Sequence, residues 1–238
     1  MVEEKLTSQV VKQPRGVYSP YFGCLIFSVI ILSVVFVGGM AYYSLTNQDA
    51  AISVFASDTP VTLKAQTIPA EQRPALVNKL KAFAQDLIHP SNPEVALSLS
   101  IAELNTLIEL APDSGYGSFK EMIAFTQALA ETQQLVADVC LPLNRIRFWE
   151  GKRYAVGKSK FKPMIAEKVG LDFQLQSLEI PGKTVSEDFI DRLMLWHWLT
   201  PYNKAEGVGT VLAAISKVKV TSSGITLLAK SSPPIKTP

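Results

Sequence analysis

EVALSLSIAELNTLIEL, residues 94–110, is the stretch that decides the fold class. Val95, Leu97 and Leu99 alternate with smaller or polar residues, the period of a half-buried strand. Ser100 and Glu103 then stand at capping-box spacing, and Leu104, Leu107 and Ile108 recur at helical spacing. A strand that turns directly into a helix predicts a mixed α+β domain.

Upstream, Leu76, Leu80, Phe83, Leu87 and Ile88 predict an amphipathic helix, with Pro74 acceptable in its first turn and Pro90 just past its end. Val61 to Ala65 alternates weakly like a strand between Pro60 and Pro69. Downstream, residues 118–134 fit strand and helix equally. Leu135, Ala137, Val139 and Leu141 then share one face of a strand. Glu150-Gly151 offers a turn, residues 154–166 run back, and Leu171, Phe173, Leu175 and Leu178 suggest a third strand ending at Pro181-Gly182. Turns this short exclude parallel crossovers, so the strands form an antiparallel meander. Thr184 and Glu187 make a second capping-box pair, opening a helix through Phe189, Ile190, Leu193 and Trp196 to Pro201. Residues 203–215 suggest a further helix, and residues 217–220 and 225–230 a hairpin about Ser223-Gly224.

No charged residue occurs between Arg15 and Asp49. A helix needs roughly 20 apolar residues to cross the hydrocarbon core, and residues 21–45 supply them. Tyr18, Tyr21, Tyr42 and Tyr43 flank the run, as suits the headgroup region. Lys12 and Arg15 precede it, which puts the N-terminus in the cytoplasm by the positive-inside bias. The run is longer than a secretory h-region and ends in Met40-Ala41-Tyr42-Tyr43, so it reads as an uncleaved signal-anchor.

The expected fold is therefore α+β: one N-terminal transmembrane helix, followed by an antiparallel sheet (meander) packed with two to four helices. Its expected parts are a cytoplasmic tail over 1–20, the span over 21–45, a juxtamembrane spacer over 46–69, an extracytoplasmic domain over 70–230 and a disordered tail over 231–238. Of two cysteines, Cys24 falls in the span and Cys140 lies alone outside it, which leaves Cys140 a packing residue.

Chemistry-bearing patterns are sparse. His89 stands at a helix end, and His197 has no second histidine or cysteine nearby, so no metal site is expected. Nucleophile-elbow, His-Glu-x-x-His and phosphate-loop motifs are missing from the sequence. Asp188 and Asp191 suit a helix N-terminus. No catalytic residue or cofactor is expected. The candidate binding residues are basic and aromatic. Arg145, Arg147, Lys158, Lys160 and Lys162 fall in a basic cluster, and strand alternation places the three lysines on one face. Trp196 and Trp198 sit in an apolar run, LMLWHWL, fit for the core, the membrane interface or an apolar groove. The predicted side of the membrane excludes nucleic acid and leaves anionic lipid or acidic wall polymers for the cluster.

The order of parts, with Glu103-Leu104-Asn105 opening the helix after the strand, resembles the bacterial single-pass YpmS-like envelope proteins. The resemblance spans about residues 94–230 in order of elements, rests on a short motif, and implies a bacterial envelope location with no catalytic residues. A remoter architectural likeness is to membrane-tethered domains whose curved sheet shelters lipid. The expected function is a non-enzymatic, membrane-anchored domain in the cell (inner) membrane that binds an apolar or amphiphilic ligand or the anionic membrane surface. The alternative is an envelope assembly protein that contacts other membrane proteins.

Overall fold

The structure, a computed structural model, describes residues 20–88, 94–111, 119–145, 150–167, 170–204 and 208–230. The chain divides into two units between Asn47 and Gln48. In the first unit the described residues belong to helix α1, Pro20–Phe55, whose residues from Tyr21 onward form one helix long and apolar enough to cross a membrane. Ser33 Oγ donates to the Val29 carbonyl at 2.8 Å, so the hydroxyl is satisfied within the helix itself. The helix runs on through the first part of the expected spacer and ends at Phe55.

In the second unit α1's last residues pack on the domain. Phe55 is buried with its ring 5.0 Å from that of Phe189, and Lys183 Nζ donates to the carbonyls of Phe55 and Ala56 at 3.3 Å. A cation there satisfies the orphan carbonyls of a helix C-terminus. Buried Arg153 donates to the Asp49 carbonyl at 3.1 Å and to its carboxylate at 2.5 Å. The chain then runs extended, bridging Ser57 to Tyr154. Val61 to Ala65 joins no ladder. Its hydrogen bond runs instead from Val61 N–H to Cys140 Sγ at 3.4 Å.

Helix α2 is Arg73–Ile88, strand β1 is Glu94–Ser100 and helix α3 is Ile101–Leu110. The capping box between them forms as expected, with Ser100 Oγ accepting from Glu103 N–H at 3.2 Å and Glu103 accepting from Ser100 N–H at 2.7 Å. The ambiguous stretch becomes a short helix α4, Phe119–Met122, and strand β2, Ile123–Leu129. Strands β3, Gln134–Leu143, β4, Arg153–Ala166, and β5, Gly170–Glu179, complete an antiparallel four-stranded meander in the order β2-β3-β4-β5. Leu135, Ala137, Val139 and Leu141 share its buried face, as their alternation requires.

The late helix differs from its expectation. Helix α5 is Glu187–Met194, with Ser186 at the N-cap and no side-chain cap bond, so Thr184 and Glu187 form no capping box. It ends before Trp196 because residues 197–199 are held elsewhere, by Asp172. A 3-10 turn, Thr200–Lys204, and helix α6, Val208–Ala214, follow. Strands β6, Ile215–Thr221, and β7, Gly224–Lys230, make the expected hairpin. They join β1 in a second antiparallel sheet, β1-β7-β6, which closes the sequence-distant ends of the domain on each other. Gly170 sets α6 against the β4–β5 turn: its φ is +80°, and an added Cβ would lie 2.1 Å from the Leu212 carbonyl oxygen. Only glycine fits both the conformation and the approach.

Candidate ligand cavity

Three helices present apolar stripes at i, i+3, i+4 spacing to the same space. They are Val77, Leu80 and Ala84 of α2, Leu104, Leu107 and Ile108 of α3, and Val208, Val211 and Leu212 of α6. Leu97 and Leu99 of β1 and Ile225 and Leu227 of β7 face them from one sheet, and Ile123, Phe125, Phe161, Leu171 and Phe173 from the other. Their side chains do not fill that space. They leave a cavity of about 590 Å³, within the range of small-molecule sites, where a filled core would leave no void of that size. Val77, Leu110 and Val208 are partly exposed, so the cavity opens to solvent among α2, α3 and α6. Among the described residues, Lys81 is the one charged member of its lining.

Two buried polar side chains shape the wall. Asn105 Oδ1 accepts from Phe125 N–H at 2.8 Å, and its Nδ2 donates to the Phe125 carbonyl at 2.8 Å and the Gln66 carbonyl at 3.0 Å. Phe125 lies on edge strand β2, beside a register shift between Phe125 and Gln127. Asn105 thus supplies the backbone partners that an edge lacks and fixes α3 against the sheet. Asp172, also buried, accepts from Phe173 N–H at 2.8 Å, from Leu199 N–H at 2.9 Å and from His197 Nδ1–H at 2.6 Å. This clasp seats Trp198 and Leu199 in the cavity wall, where the Trp198 ring stands edge-on to Phe161 at 5.3 Å. Phe125 adds edge or tilted contacts to Phe161 at 6.1 Å and Phe173 at 5.7 Å, giving an aromatic floor.

Glu103, beside the cavity on α3, has its carboxyl affected most by burial, which raises its pKa. The hydrogen bonds from Lys79 and Ser100 together outweigh that and hold it below the ordinary 4.5. Lys79 Nζ lies 2.7 Å from it, and Arg73 likewise pairs with Glu109 at 3.0 Å.

The expected binding residues do not come together. Arg145 pairs with Asp58 and, at 3.6 Å, with Glu150, while Arg147 lies outside the described residues. Lys158, Lys160 and Lys162 do share one face of β4, the face away from the cavity. Lys158 stands directly opposite Asp138 on β3 and Glu179 on β5, and Lys160 lies 3.5 Å from Glu179. Cross-strand carboxylates therefore answer part of the basic stripe. The two tryptophans separate as well: their rings are 6.0 Å apart, but Trp198 is 5% exposed in the wall and Trp196 is 62% exposed beside solvent-facing Leu195. Asp172 was missed because it belongs to no motif, and Asn105, although it stands in the Glu103-Leu104-Asn105 motif, was given no role of its own. Lys81 left a trace, a lone cation on the apolar stripe of α2.

Compared with known proteins, the chain matches no family model, no curated protein and no solved structure. The geometry of the domain is what bears on function. Among the described residues there is no cluster of His, Cys, Asp and Glu side chains suited to a metal ion.

Proposed function

We propose that this chain is a single-pass, membrane-anchored and non-enzymatic protein whose domain holds an apolar or amphiphilic ligand in the cavity bounded by α2, α3 and α6. The supporting observation is that cavity: about 590 Å³, with aromatic and aliphatic walls and, among the described residues, one cation at its lining. Apolar walls that stand open to water stay hydrated, a cost that an apolar guest removes. Asp172 and Asn105 favour this reading over a catalytic one, because their hydrogen bonds go largely to backbone groups of the wall. In this reading the N-terminus is cytoplasmic, the domain lies outside the cell (inner) membrane of a bacterium, and the ligand is a membrane lipid or its product. Kinship with the YpmS-like envelope proteins belongs to the same proposal.

Docking on the membrane surface is a second reading, favoured by exposed Leu195 and Trp196. Both side chains are large and apolar, and tryptophan suits the interface. Native mass spectrometry of the full chain, released intact from lipid nanodiscs, tests the first reading. A non-covalent amphiphile on the protein is expected, and a bare protein from lipid-replete discs sinks it.

A further inference from the structure

Resting on that cavity reading, we infer that the occupant is an amphiphile with an anionic head group, its apolar part in the cavity and its head at Lys81. Lining comes first. Apart from Lys81, the described lining is aliphatic and aromatic, which suits the apolar part of an amphiphile.

Charge comes second. Lys81 follows Val77 by four positions and Leu80 by one, so it occupies the cavity stripe of α2 where an apolar residue would complete the wall. Lys81 both lines the cavity and is exposed, which suits a lysine that keeps its ammonium in water beside apolar surface. Carboxylates on neighbouring α3 are taken: Glu103 by Lys79 at 2.7 Å and Glu109 by Arg73 at 3.0 Å. Among the described residues Lys81 forms no ion pair. Among the described residues, the lining of an otherwise apolar pocket thus carries a positive charge with no ion-pair partner, which selects the sign of a head group.

Trp198 in the wall is a built-in reporter. The full chain in phosphatidylcholine nanodiscs is titrated with a fatty acid of about 16 carbons brominated in mid-chain, the matching alcohol and the matching phosphate monoester. The readout is the quenching that Trp198→Phe removes. Both anions are expected to half-quench at about fivefold lower concentration than the alcohol, the upper range for an exposed ion pair. Lys81→Met should abolish the preference and Lys81→Glu invert it. Tighter binding of the carboxylate would identify a free fatty acid as the source, and of the phosphate a lyso-lipid; both uphold the inference. Equal quenching by all three probes, or a preference that survives Lys81→Met, overturns it and leaves the cavity reading standing. No Trp198-dependent quenching by any probe overturns both.

Discussion

Two hollows of similar size, about 590 and 630 Å³, lie on opposite faces of the four-stranded meander, and their linings differ in kind. The outer one, between the extended residues 61–64 and the sheet, is lined by Lys64, Asp138, Lys158 and Glu179 as well as apolar groups. Its charges alternate in sign across strands, so the face is self-compensated and solvated. The inner one is built from three helical stripes and both sheets, with a single charge among the described residues. Size alone does not distinguish a binding site. What separates the two is that outer charges of opposite sign stand across from one another on neighbouring strands, while the inner walls are apolar and leave space between them.

Breaking the inner wall should have the largest effect. Asp172→Ala removes the acceptor for Leu199 and Phe173 N–H and for His197, leaving buried donors unpaired. A loss of about 2–4 kcal/mol is expected by urea unfolding of the full chain. Asp172→Asn, which keeps an acceptor oxygen, should recover part of that loss. An Asp172→Ala protein with unchanged stability would remove the clasp from the account.

A smaller effect is expected at the rim, where Glu103→Gln keeps capping-box chemistry but loses the charge facing Lys79. The expected cost at neutral pH is about 0.5–1 kcal/mol. Because the folded carboxyl titrates below its ordinary 4.5, its contribution is present above that value and lost as pH falls through the lowered one. The gap between wild type and Glu103→Gln should therefore be constant near neutrality and close in acid, as read from urea midpoints at both ends. A gap that widens in acid would reverse the assignment.

The smallest effect belongs to the outer face. Changing Lys158, Lys160 and Lys162 together to Gln should shift stability by no more than about 0.5 kcal/mol and leave cavity occupancy unaltered. Loss of bound amphiphile in that variant would move the binding site to the other side of the sheet.

Much of this contrast was legible in the sequence, but only where the signal is local. The Ser100–Glu103 box, the alternation of Leu135, Ala137, Val139 and Leu141, and the terminal hairpin all fell where pattern placed them. The stripe of Lys158, Lys160 and Lys162 was legible as one face. The carboxylates beside it were not, because they depend on a register that joins β4 to both neighbours. Helix α5 was read too long because Asp172, 25 residues before His197, pulls residues 197–199 out of the helix through tertiary bonds. The cavity had no signature at all. A helical stripe that packs tightly and one that borders a void share the same period, so periodicity cannot tell a core from a container.

Occupancy of the void is therefore the measurement that matters most. Ala84 lines it from α2, and Ala84→Trp would place an indole in the space left for the ligand. The mass of the intact full chain, taken from identical lipid nanodiscs as wild type and as Ala84→Trp, tests the claim directly. An amphiphile bound to wild type and absent from an equally folded Ala84→Trp protein is the expected result; a bare wild type, or an adduct retained by both, would contradict it.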